Sequence, residues 1–120
     1  RGCAARNGVV GITGAGYYLG GPPTPELFFR HVDHVVQMVG PEYVGLGLDW
    51  TADTERLKQA FIAAPDIWGS LDQWQPIEFY PPNALAPLIA RMDDAGYPEA
   101  AILGIIGGNW MRVAAETWKG

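Results

Sequence analysis

The run Tyr43–Trp50, Tyr-Val-Gly-Leu-Gly-Leu-Asp-Trp, constrains this chain more than any other stretch. It is short and apolar, carries glycine at alternate positions and ends in a single carboxylate. Glycine weakens a strand interior, so its repetition here predicts a strand whose backbone is approached closely, as in a crowded barrel wall. Asp49 falls at the carboxyl end of that strand, where α/β proteins gather their ligands. A second role is open to it. Thr51-Ala52-Asp53-Thr54-Glu55 reads as a helix start, and Asp49 is available as its cap.

The residues before this run complete a unit. Arg1–Arg6 is helix-compatible, and Asn7-Gly8 offers the left-handed residue that ends a helix. Val9–Thr13 is apolar without alternation, the pattern of a strand covered on both faces. Gly14–Gly21 reads as a glycine-rich loop carrying Tyr17 and Tyr18. It lacks the Gly-Lys-Ser/Thr ending of a phosphate loop, so phosphate binding is not expected. Thr24-Pro25-Glu26 then supplies a hydroxyl cap, a first-turn proline and an acid near the positive helix end. Phe28, Val32, Val35, Val36 and Val39 recur at helical spacing until Gly40-Pro41 stops the helix. Strand, helix and strand predict a parallel pair with a right-handed crossover.

His31 and His34 stand three apart on that helix, a spacing that can turn two metal ligands to one face. No third ligand is in register, and structural histidines are the expectation. Beyond Asp49, Thr54–Ala64 reads as a helix with Leu57, Ala60, Phe61 and Ala64 on one stripe. Asp66–Pro82 reads as irregular but holds Trp68, Trp74, Phe79 and Tyr80, a composition that argues against disorder. A wall or lid over a pocket and a patch against a partner both fit it. Asn83 is placed to cap a helix running to Ala95, with Leu85, Leu88, Ile89 and Met92 inward and Gly96 as terminator. Pro98-Glu99 restarts a helix carrying Ile102, Leu103 and Ile106. Gly107-Gly108 should break it, and Asn109 should begin a last helix, Trp110–Trp118.

The 120 residues, 48% of them hydrophobic, suffice for one domain with a core. A net charge of −5 with scattered basic residues excludes a phosphate-tracking stripe, so nucleic acid is not an expected partner. One cysteine, Cys3, allows neither an internal disulfide nor a cysteine metal site. Apolar runs fall short of the roughly 20 residues of a membrane span. With no signal peptide visible, a cytoplasmic location is the favoured expectation. The chain opens at Arg1 in what reads as the tail of a helix, and is expected to be the C-terminal part of something longer.

Several segments, taken in order, resemble the membrane (renal) dipeptidase family of zinc peptidases. They are Asn7-Gly8-Val9-Val10-Gly11-Ile12, His31-Val32-Asp33-His34-Val35 with Val39-Gly40-Pro41, and Val44-Gly45-Leu46-Gly47-Leu48-Asp49. Tyr80-Pro81, Ala95-Gly96-Tyr97 and Ile106-Gly107-Gly108-Asn109-Trp110-Met111-Arg112-Val113 follow. The resemblance spans nearly the whole chain. It implies an α/β fold: the C-terminal portion of an amidohydrolase-like (β/α)8 TIM barrel, with the last two strand–helix units and the helices after them. It also implies two zinc ions, with every ligand and a substrate-binding arginine upstream of Arg1. Of the family's catalytic residues only Asp49 has a match, as the proton shuttle to a metal-bridging water. Tyr18 falls near a pocket tyrosine, and Trp50 keeps the aromatic that follows the aspartate, so both are expected against substrate. The family often continues Phe-Asp-Gly where Trp50-Thr51-Ala52 stands here, which leaves the substrate open. The implied activity is hydrolysis of dipeptides or related small amides by the complete barrel. The implied partners are such a substrate and the missing N-terminal part of the barrel, with a homodimer as an open assembly. The 120 residues alone are expected to be inactive. The alternative is a non-catalytic α/β fragment, or a metal-free homologue acting only in assembly or ligand binding.

Overall fold

A computed structural model describes residues 1–118. Two parallel strands, β1 (Val10–Thr13) and β2 (Val44–Gly47), form its sheet, and helices account for most of the rest. Val10 pairs with Val44, Gly11 with Gly45, Ile12 with Leu46 and Thr13 with Gly47. The expected parallel pair is therefore present, with β2 covering only Val44–Gly47 of the run Tyr43–Trp50. Tyr43 belongs to a 3-10 turn, Pro41–Tyr43, that leads into the strand.

The helix between the strands, α2 (Pro25–Val39), begins and ends where its residues dictate. Thr24 Oγ1 accepts from the Leu27 amide at 3.2 Å, and Gly40 leaves the helix at φ 96°. Phe28 and Val32 are completely buried, and Phe29 nearly so. They meet Ile12 and Val44 from the sheet, and Leu88 and Met92 from α5 (Leu85–Asp94), in one core. Each such buried side chain contributes about 1.5–3 kcal/mol of hydrophobic stabilisation. Alternation along the strands sends Val44 to this core and turns Gly11, Gly45 and Gly47 to the opposite face.

Several local expectations are corrected. The segment 14–21 is not all loop: α1 (Gly16–Leu19) is a single turn closed by Gly20 at φ 82°. Asn83 does not cap α5, because Pro82 already starts a 3-10 turn, Pro82–Ala84, that contains it. Instead Ala84 accepts the Tyr80 hydroxyl at 2.5 Å. The break expected at Gly107-Gly108 is present: Gly107 leaves helical geometry (φ 175°, ψ −30°) in the turn Gly104–Gly108, which joins α6 (Glu99–Leu103) to α7 (Asn109–Thr117) across a kink. The short α6 buries only Ile102 and leaves Leu103 55% exposed.

The stretch 66–82 is likewise not irregular throughout. After α3 (Thr54–Ala63) come α4 (Pro65–Trp68) and a 3-10 turn, Leu71–Trp74. Among the described residues no helix is long and apolar enough to cross a membrane.

Two polar residues lock α7 against the strands. Asn109, buried, donates its amide to Pro41 O at 2.8 Å and Val44 O at 2.7 Å. Arg112 donates to Asn7 O at 2.7 Å and Glu42 O at 3.0 Å. Much of the Asn-Trp-Met-Arg motif thus holds the fold together.

Candidate functional site

The carboxyl ends of the parallel strands are built out by the chain that follows each. Beyond β1, Gly14 N donates to Leu48 O at 3.1 Å, Tyr80 N donates to Gly14 O at 2.9 Å, and Gly16 N donates to Glu78 O at 2.8 Å. Ala15 thereby bridges Phe79 in antiparallel fashion. These bonds draw the aromatic segment across the strand end. Ala15, Phe61, Ile77 and Phe79 then form a second small core, with Tyr17, Leu57, Leu71 and Trp74 packed on it.

Asp49 stands two residues beyond β2. Its backbone is left-handed, φ 54°, a conformation uncommon for a side-chain-bearing residue but more tolerable for Asp and Asn than for most. It is not the cap of α3. Asp53 is: its Oδ1 accepts from the Arg56 amide at 2.8 Å, and Thr51 Oγ1 accepts from the Asp53 amide at 3.2 Å. Among the described residues no hydrogen bond or ion pair engages the Asp49 carboxylate. It lines a cleft of about 310 Å³ instead.

That cleft has aromatic walls. Tyr17 and Tyr18 come from α1, Trp50 from the strand end, and Trp68 and Trp74 from the segment after α3. Trp74 sets its ring nearly perpendicular to Tyr17, at 85° and 5.2 Å between centroids, and to Tyr18, at 83° and 6.3 Å. Its indole nitrogen donates to Trp68 O at 2.8 Å, which fixes the ring. Burial pushes the Tyr17 hydroxyl above its ordinary pKa, and the charges of Asp49 and Tyr18 push the same way.

Sequence reasoning placed Asp49, Tyr18 and Trp50 in a site, and all three line this cleft. Tyr18 is 59% exposed and Trp50 47%, so each has surface open to a ligand. From residues 66–82, Trp68 and Trp74 line the same cleft as Asp49. Tyr17 was missed. Its signal was adjacency to Tyr18 just beyond a strand end, but nothing in the sequence showed which tyrosine turns inward.

The histidines do not converge with this site. His31 Nε2 donates to Leu19 O at 3.1 Å, and the groove it shares with His34 also holds Arg30, a poor neighbour for a cation. Among the described residues no group of three or more His, Cys, Asp and Glu side chains could hold a metal. The zinc pair implied by the sequence resemblance therefore finds no ligand set in these residues.

Fold and cleft together define an α/β protein with an acid-bearing aromatic cleft at the carboxyl end of its parallel strands. No family model, curated protein or solved structure matches the chain.

Proposed function

We propose that this chain is the C-terminal portion of a (β/α)8 barrel hydrolase of the membrane dipeptidase kind, acting on dipeptides or related small amides. Asp49 is its proton-transfer group. The observation that carries this reading is Asp49 itself: a carboxylate without a partner among the described residues, at the carboxyl end of a parallel strand, facing an aromatic cleft. Barrel enzymes build their sites from such strand ends. The strand–helix–strand order supports the barrel.

In this reading a water beside Asp49 attacks the amide carbonyl as the carboxylate takes its proton. The C–O bond forms, the C–N bond breaks, and the proton passes to the departing amine. Tyr17, Tyr18 and Trp50 hold the substrate and exclude bulk water. The zinc ions of the related enzymes would need ligands from outside these residues.

The test is Asp49→Asn in the protein as its gene encodes it, assayed on a dipeptide panel. Asparagine keeps the shape but cannot take the proton, so kcat should fall about 10²–10⁴-fold. KM should move little, because the group acts mainly in the transition state. Near-wild-type turnover would end the catalytic reading and leave a binding or assembly role.

A further inference from the structure

The composition of the cleft is unusual for one that opens at an acid. Seven of the ten residues lining it are aromatic, none is basic, and Asp49 is the one carboxylate among them. Two consequences follow. The charge of Asp49 goes unbalanced locally, and it is felt at the Tyr17 hydroxyl, whose ionisation it opposes after burial. The rings also pack edge to face, Trp74 at 78° to Trp68 and nearly perpendicular to both tyrosines, so the cluster lining the cleft holds rings in more than one orientation. A negative field inside walls of π density favours a cation and repels an anion.

The kind of cation follows from hydration. A primary ammonium carries three N–H donors and holds its water strongly. Entering this cleft it would exchange that water for few acceptors, chiefly Asp49, two tyrosine hydroxyls and Thr51. A quaternary ammonium has no donors to satisfy and spreads its charge over methyl groups that pack against rings. Aromatic cages are the recurrent recognition mode for such groups. The volume, about 310 Å³, lies at the small end for ligand sites and suits a compact headgroup.

We propose that the cleft binds a quaternary ammonium group, with the aromatic rings as its cage and Asp49 as its counter-charge. The inference rests on the cleft being the substrate site, and it names the substrate class: small amides or peptides that carry a trimethylammonium group.

Equilibrium binding to the full protein, followed by calorimetry without turnover, tests it with three probes. They are choline, its neutral isostere 3,3-dimethylbutan-1-ol, and ethanolamine. Choline should bind about tenfold more tightly than the neutral isostere, the scale of a partly desolvated cation–π site. It should also bind more tightly than ethanolamine. Asp49→Asn should weaken choline several-fold and leave the isostere unchanged, with circular dichroism confirming the fold. Trp74→Leu should weaken choline as well. Equal binding of choline and the isostere would reduce the cleft to an apolar slot and overturn the proposal. So would ethanolamine matching choline, or the absence of saturable choline binding. Choline binding in a protein that hydrolyses no amide would sink the hydrolase reading alone. Amide hydrolysis without choline preference would sink the cation reading alone.

Discussion

The indole of Trp110 occupies the space that a side chain on Gly45 would need. A Cβ there would fall 2.4 Å from Trp110 Nε1 and 2.9 Å from Val9 Cγ1, while the indole nitrogen donates to the neighbouring Leu46 carbonyl at 3.1 Å. Gly11, paired with Gly45, would also crowd this ring, at 3.0 Å from Cζ2. The alternating glycines of β2 are thus explained in part by what lies on them: the first residues of α7 close one face of the sheet.

Gly45→Ala should accordingly destabilise the protein by about 1–3 kcal/mol, the usual cost of overpacking. Denaturant unfolding measures it. In Gly45→Ala/Trp110→Ala the two effects should fall short of additive, since removing the ring also removes the clash. Full additivity would show that the ring and the glycine do not compete for space.

Asn109 offers a second test of how α7 is held. Asn109→Ala leaves the Pro41 and Val44 carbonyls without their donor and should cost about 2–4 kcal/mol, from two lost bonds in a buried site. Asn109→Asp should be worse at neutral pH despite its similar size, because a carboxylate would face two carbonyl oxygens with no proton to offer. Unfolding midpoints at pH 7 in the order wild type, Ala, Asp confirm the assignment.

The two aspartates beyond β2 should separate cleanly in a stability measurement. Asp53→Ala removes the cap of α3 and should cost about 1 kcal/mol. Asp49→Asn should change stability by less than about 0.5 kcal/mol, because asparagine tolerates the left-handed backbone and no described contact is lost. A loss of activity in Asp49→Asn would then be chemical in origin.

Tyr97 should make stability sensitive to alkali. It donates to Asp33 Oδ1 at 2.6 Å, and its pKa is raised well above the usual 10.0, first by burial and then by that bond and the Asp33 charge. The folded state therefore keeps the phenolic proton when the unfolded chain has begun to lose it. The stabilisation is complete below pH 10 and declines as pH rises above it towards the folded value. Tyr97→Phe should cost about 1 kcal/mol near neutrality, since Asp33 is only half-buried. It should also flatten part of the decline above pH 10, read as unfolding free energy against pH.

Local rules reach surprisingly far for the elements that punctuate themselves. Thr24-Pro25-Glu26 and Gly40-Pro41 define α2 to the residue, because cap, proline and glycine act within one turn. The parallel pairing of β1 and β2 was legible for a related reason, since a helix between two unbroken apolar runs leaves few other topologies. Asp49 could be singled out by its place at a strand end. Whether it capped a helix could not, for Asp49 and Asp53 both precede the same start, and the bond from the Arg56 amide to Asp53 decides between them.

What the sequence by itself determined, then, is the strand–helix–strand frame and the acid at its end. Tertiary structure alone decided what faces that acid. Tyr17, Trp68 and Trp74 reach the cleft because the backbone of residues 78–80 pairs with Gly14 and Gly16, contacts more than sixty residues apart in the chain. Gly45 likewise reveals its use only when Trp110 arrives from the far end of the sequence. Hydrogen bonds within a turn are set by neighbouring residues, whereas a cleft wall depends on which distant surfaces bury one another, and no local pattern carries that information.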